Sequence, residues 1–473
     1  MKTLCSKDTV RRVVVLVVLA LTSGLAHSQD WPGFTGPNHD NTSPARGLAD
    51  TWPTNGPTVV WESRITGGGA ELFASPIVAG GKVFVTGREY KKDKSGKKIE
   101  ESTSDFLHCL DAGTGRELWK QEFAPQVLYT GDLGQERKSC WNTPVADGNM
   151  VYARGPNGEL RAIAVQDGKT VWTWPKDPAS LTNKPPSGYS LSAPCLVVDD
   201  ILILPVYGGF KAKLLGLDKL SGEPKWEMPE YGCWQFSAGC MIPMDLGGGK
   251  KVVVIGGFVF DPKTGKNLMP MEKDGKGRMV RASLPVGINW TATCKGNKLI
   301  SGYTVNAVKE KVDGKDVVKL EEEAGVGCVE LSLNEDGTIA QKLLWKTMQS
   351  GNNRKWQKSY GGPVIQGEHL YVFHGCNDTR AISCVSMADG KLLWTAEKPK
   401  HDWGYANVIG ADGKIFYHQG GQLSMLAADA TTYRELASAK VSANNWSTPA
   451  IAGTRMFLRD DNGIVKCLEL KAQ

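Results

Sequence analysis

The stretch Leu107-His108-Cys109-Leu110-Asp111-Ala112-Gly113-Thr114-Gly115-Arg116-Glu117-Leu118-Trp119 reads as a strand, a glycine turn and a second strand carrying a tryptophan. Related endings follow at Gly168-Lys169-Thr170-Val171-Trp172, Ser221-Gly222-Glu223-Pro224-Lys225-Trp226 and Asp389-Gly390-Lys391-Leu392-Leu393-Trp394. The steps from Trp119 to Trp172 to Trp226 are 53 and 54 residues. That period falls in the range of a blade of four strands in a β-propeller. Several units also open alike, on a small residue and proline before an apolar run. The openings are Ser75-Pro76, Thr143-Pro144, Ala193-Pro194, Gly362-Pro363 and Thr448-Pro449.

The third strand of the unit sets the register. One column reads Cys109, Ala162, Gly216, Val259, Cys328, Cys384, Met425 and Cys467. The next reads Leu110, Ile163, Leu217, Phe260, Val329, Val385, Leu426 and Leu468, apolar throughout. Two adjacent apolar columns require a strand covered on both faces, as in a sheet sandwiched between neighbouring sheets. Asp111, Asp218 and Asp261 follow with short carboxylates suited to bonding the next turn. Eight units result, with first strands expected near Phe73, Trp141, Leu191, Phe236, Trp290, Tyr360, Tyr405 and Trp446. The eighth lacks a fourth strand, and Thr58-Val59-Val60-Trp61-Glu62 has that pattern with no unit before it. The expected fold is all-β: an eight-bladed β-propeller of four-stranded antiparallel blades, closed where the N-terminal strand pairs with the last blade. Unit four is degenerate, Lys309 to Glu323 is a charged insertion expected as an extended hairpin or loop, and Lys176 to Ser187 is a connector.

The N-terminus reads differently. Lys2, Lys7, Arg11 and Arg12 precede the apolar run Val13 to Leu21, and Ala26-His27-Ser28 fits a signal-cleavage site. The expected division is a signal peptide at 1–28, a leader at 29–57 and one propeller at 58–470. No lipobox cysteine follows the apolar run, which implies a periplasmic or secreted protein with no membrane span after cleavage. The net charge of +6 drops to +3 without this segment, too little for a nucleic-acid footprint. The 473 residues suggest about three ordinary domains by length alone, a number the repeat reduces to one. The 55 glycines and 15 tryptophans suit many short strands and turns.

On the endings at Leu107–Trp119 and Leu215–Trp226, and the opening Asp30-Trp31-Pro32-Gly33-Phe34-Thr35-Gly36-Pro37-Asn38, the chain resembles the PQQ-like, quinoprotein-type propeller repeat family of secreted bacterial proteins. Phe34-Thr35 stands where such leaders often carry Trp-Arg. The resemblance covers roughly residues 30 to 470 and is specific for architecture, because the repeated residues dock one blade onto the next. It implies alcohol dehydrogenases with PQQ and Ca²⁺, polyvinyl-alcohol dehydrogenases, or the non-enzymatic propeller subunit of the outer-membrane β-barrel assembly machine. The dehydrogenases imply an adjacent Cys-Cys pair over the quinone, which this sequence lacks, and it has no C-x-x-C-H haem motif either.

Other catalytic templates are incomplete: there is no H-E-x-x-H, and Gly188-Tyr189-Ser190-Leu191-Ser192 lacks the final glycine of a nucleophile elbow. Cys109, Cys328, Cys384 and Cys467 share a column with Ala and Gly and read as small buried hydrophobes; Cys233, Cys240 and Cys140 are candidates for pairing. The remaining constellation sits at first-strand starts: Trp141, Asn142, Trp234, Gln235, Asn289, Trp290, Tyr360, Trp403, Trp446 and Ser447. These side chains either rim an axial mouth suited to flat, sugar-like or peptide ligands, or pack against the next blade. The expected function is an exported, non-catalytic scaffold for a protein or cell-envelope polymer, monomeric and without a cofactor. The alternatives are a PQQ- and Ca-dependent alcohol dehydrogenase and a carbohydrate or cell-surface polymer binder.

Overall fold

A computed structural model describes residues 30–471, apart from 66–73, 93, 96–97, 124–141, 156–157, 178–193, 209–210, 233–240, 256, 274–276, 283, 286–291, 306–307, 313–314, 321–322, 348–361, 377–378, 399–406 and 444–446. The described chain forms eight blades around one axis and contains no helix among the described residues. Blade 1 is Ile77–Ala79, Lys82–Lys92, Lys98–Asp111 and Glu117–Phe123, paired in chain order from the axis outward. Blades 2, 3, 5 and 6 repeat the order, and the insertion in blade 5 is a hairpin of Val308–Val312 and Lys315–Leu320. Blade 8 is closed as expected: Thr58–Arg64 runs antiparallel to Ile464–Glu469, with Thr58 opposite Glu469 and Arg64 opposite Ile464.

One contact repeats around the ring. The fourth-strand tryptophan of each donating blade lays its indole on the third-to-fourth turn of the next blade. Its Nε1–H donates to a carbonyl there: Trp61 to Ala112, Trp119 to Val165, Trp172 to Lys219, Trp226 to Pro262, Trp345 to Met387 and Trp394 to Asp429, at 2.9–3.2 Å. Five of the six turns receive the ring at a glycine of positive φ, Gly115, Gly168, Gly222, Gly265 and Gly390, while the blade 7 turn under Trp394 has none. Gly390 has φ +73°, and a Cβ there would stand 2.5 Å from the Trp345 ring. Asp111, Asp218 and Asp261 hold the turns by accepting two backbone N–H groups each. Their carboxyl pKa values are lowered, that of Asp111 chiefly by the Thr114 hydroxyl, that of Asp218 by the Ser221 N–H and that of Asp261, against its burial, by Lys250.

The indole is aimed by a β-bulge. Register slips just before the tryptophan, so that Val60, Leu118, Val171, Lys225, Leu344 and Leu393 are the extra residues. Such an insertion twists the strand and redirects the following side chain. Directly opposite each tryptophan stands the small third-strand column: Cys109, Ala162, Gly216, Cys328, Cys384 and Cys467.

Two joints lack the tryptophan, and the small column is filled there by Val259 and Met425. In blade 4 the outermost strand stops almost at once. Leu268 N–H bonds Val259 O at 2.8 Å, and Pro270, with no N–H, then diverts the chain into a hairpin of Met271–Lys273 and Met279–Arg281. Buried Leu268 and Met269 fill the joint to blade 5. Blade 7 faces a blade whose fourth strand comes from the N-terminus, so there is no turn to dock on. Trp52 takes that place, stacked on Phe416 at 6.5 Å between centroids.

Trp345→Ala removes a buried indole and leaves a cavity, and should cost about 3–5 kcal/mol in urea unfolding. Gly390→Ala pushes a Cβ into the same ring at positive φ and should destabilise the same joint while leaving Trp345 present.

Candidate functional site

The axis is where a propeller offers a ligand site, and here the chain's own leader crosses it. Trp31, fully buried, forms an antiparallel bridge with Val78 of blade 1, and Ala146 N–H of blade 2 bonds Pro32 O at 2.8 Å. Phe34 packs on the apolar core of blades 4 and 5. Thr293 Oγ1 of blade 5 lies 3.5 Å from Asp40 O. Thr42–Ser43 then adds a parallel strand to the inner edge of blade 7, Thr42 opposite Gly410, and Ser43 Oγ donates to Ile451 O of blade 8. Gly36 permits this path: at φ +81° it turns across the Trp31 ring, where a Cβ would stand 2.9 Å away. The leader sits toward the first-to-second turns, as Gly80 N–H to Asp30 Oδ2 shows. Burial raises the Asp40 pKa and lowers that of His39 to about 4.

The opposite end of the inner strands is lined by a polar seam across blades 7, 8, 1 and 2. The hydroxyls of the Ser/Thr-Pro openings stitch it together: Thr448 N–H donates to Ser75 Oγ at 2.8 Å, and Ser75 N–H to Thr143 Oγ1 at 3.0 Å. Two buried arginines stand at matching second-strand positions, Arg154 donating to Pro205 O at 2.7 Å and Arg459 accepting Ser447 Oγ through its backbone carbonyl at 3.0 Å. His418 bonds Ser442 Oγ at 3.0 Å, and burial lowers its pKa to about 3, aided by the positive Lys440.

Of the mouth residues, Asn142 and Ser447 are described, both buried within this seam. Trp141, Trp234, Gln235, Asn289, Trp290, Tyr360, Trp403 and Trp446 lie outside the described residues, as do Cys140, Cys233, Cys240 and the signal segment 1–28. Sequence reasoning missed the leader as an axial element. Its signal was Trp31 and Phe34 among glycines and prolines, a segment too apolar for a mere tether. The arginines were missed too, because each stands alone in its own repeat. Cys109, Cys195, Cys294, Cys328, Cys384 and Cys467 are free thiols, all raised to about 11 or 12 chiefly by burial.

A family model described as outer membrane protein assembly factor BamB matches residues 53–231 and 378–471, more than half of the chain. The chain belongs to this family. The BamB of Burkholderia pseudomallei is 23% identical over 36% of this chain and 45% of its own length. The chain spans about half the length of the curated relatives it matches. Among solved structures, the crystal structure of BamB from Moraxella catarrhalis superposes with a TM-score of 0.50 at 14% identity, covering 87% of this chain and 99% of that one. A quinohemoprotein alcohol dehydrogenase from Comamonas testosteroni gives 0.58 at 12% identity, covering 95% and 81%. At these identities the structures share the fold alone. The PQQ-like resemblance of the repeat therefore holds at the level of family and architecture.

A quinone with Ca²⁺ needs hard oxygen donors brought together. Among the described residues no three of His, Cys, Asp and Glu are grouped for a metal. No helix of the described residues is long and apolar enough to cross a membrane.

The buried thiols should resist iodoacetamide in native protein at about pH 8 and react once urea unfolds it, since the thiolate is the reactive form. Fast native labelling mapped by mass spectrometry to Cys109 or Cys467 would contradict the packing. His418 sets an acid limit. Its folded pKa lies below its ordinary 6.5, so stability is full above pH 6.5 and is lost as pH falls toward 3. Between pH 6.5 and about 4.5 the loss from His418 should be about 2 kcal/mol. His39, lowered to about 4, adds to it in the same window, so His418→Gln should reduce the slope and His418→Gln with His39→Gln should flatten it.

Proposed function

We propose that the chain is an exported, non-catalytic propeller that acts as a binding and assembly scaffold for proteins of the cell envelope. The observation that carries this reading is the leader: the axial position is taken by the chain's own Trp31, Phe34 and Thr42–Ser43. A propeller whose centre is packed with its own chain keeps its rim and outer blades for partners. The family supports the same reading, since its model is described as an assembly factor. The signal pattern at 1–28 supports delivery to the periplasm or beyond. The divisions 29–57 and 58–470 and a monomeric state belong to this proposal. So do the mouth aromatics Trp141, Trp290 and Trp446, as contacts for a partner at the strand-start end.

Affinity-tagged protein, cross-linked in its native host and purified under denaturing conditions, should carry a defined envelope protein in stoichiometric amount. Incubation with PQQ and Ca²⁺ should give neither stoichiometric quinone uptake nor dye-linked alcohol oxidation. Turnover with PQQ, or the absence of any cross-linked protein, would overturn the scaffold reading.

A further inference from the structure

Blade 4 departs from the repeat by sending out a ribbon where its fourth strand should continue. The ribbon is firmly mounted. Ala282 N–H bonds Pro270 O at 2.9 Å, Leu284 N–H bonds Gly257 O at 3.1 Å, and Arg281 Nη1 donates to Met269 O at 3.2 Å. Met269, Ala282 and Leu284 at its base are buried in the core shared with blade 5. The ribbon itself is exposed. Met271 stands opposite Arg281 and Lys273 opposite Met279, so cross-strand pairing gathers these four on one face, with Glu272 and Val280 on the other. Met271 is 50% and Met279 56% exposed, and Lys273 and Arg281 are exposed beside them.

Two large apolar side chains on a ribbon of two short strands are costly in water, and such a ribbon gains little stability from its own pairing. Methionine is the apolar side chain that adapts to varied partners. Its neighbours here are cations, which complement a negative partner. Both strands are edges of a two-stranded sheet, open to strand addition. The ribbon lies between residues 231 and 378, a stretch that the family model does not match.

We infer that the paired strands Met271–Lys273 and Met279–Arg281 form a docking surface for an acidic, extended protein segment, whose apolar side chains seat on Met271 and Met279 and whose carboxylates pair with Lys273 and Arg281. The inference rests on the scaffold reading and names one of its surfaces. The test is fluorescence anisotropy with a labelled peptide alternating Asp or Glu with Val or Leu. The comparisons are the same peptide with lysine at every acid and phosphatidylglycerol vesicles.

Saturable binding of the acidic peptide is expected, weakening at about 0.5 M salt as charges are screened. Lys273→Glu with Arg281→Glu should weaken it about tenfold or more, and so should Met271→Ser with Met279→Ser. The melting temperature should hold in the methionine variant, whose side chains lie outside the core. Arg281→Glu also removes the bond to Met269 O, so Lys273→Glu alone, which should weaken binding several-fold at an unchanged melting temperature, separates docking from mounting. Leu220→Ser, at an exposed leucine on blade 3, should change nothing. No saturable binding, equal binding of the lysine peptide, preference for vesicles, or undiminished affinity in either double variant would overturn the inference. Such a failure removes this surface alone; the scaffold reading falls only with the cross-linking experiment.

Discussion

Every joint in the ring depends on filling the space between one blade's outer strand and the face of the next blade. An indole does this in six joints, supplying area, shape and one hydrogen bond to a turn carbonyl. The ladder hydrogen bonds of the strands run within each blade, so the angle between neighbours rests on side-chain packing and a few cross-blade bonds. The interior is close-packed, so the indole dictates its surroundings. In five of the six the turn bends at positive φ without a Cβ, and in all six the preceding residue bulges and the residue across the strand is small.

The cysteines follow from that constraint. Cys109, Cys328, Cys384 and Cys467 share their role with Ala162 and Gly216: each is a small side chain opposite a tryptophan. Where no tryptophan stands opposite, the column widens to Val259 and Met425. This compensation was legible in the one-dimensional column, although its cause required the register. Blade number, closure by Thr58–Arg64 and the blade 5 hairpin were legible for the same reason: each is a departure from, or completion of, a repeated pattern.

The leader and the polar seam were less legible because they do not repeat. Trp31, Phe34 and Ser43 reach different blades, so no period marks them. Arg154 and Arg459 occupy one position of the repeat, but the same position holds Thr86, Pro205 and Phe373 elsewhere, which averages the signal away. Only the ring places blades 7, 8, 1 and 2 side by side and turns scattered polar residues into a seam. The aromatic positions named from the sequence fall mostly outside the described residues, leaving Asn142 and Ser447 as the ones placed, both inside the seam.

The two unusual joints and the leader are one arrangement. Blade 8 takes its outer strand from the N-terminus, so it offers blade 7 no turn, and Trp52 just upstream fills the vacancy. The same upstream chain then reaches the axis and ties Ser43 to Ile451, 408 residues away, while Thr448 and Ser75 join the first and last complete inner strands across 373 residues. Contacts of such separation carry a large loop-closure entropy, which the native packing has to offset. Ring closure, the blade 7 joint and axial filling all draw on the chain between Trp31 and Arg64, and that chain covers both the inner edge of blade 7 and the outer edge of blade 8, which would otherwise stand open to strand addition.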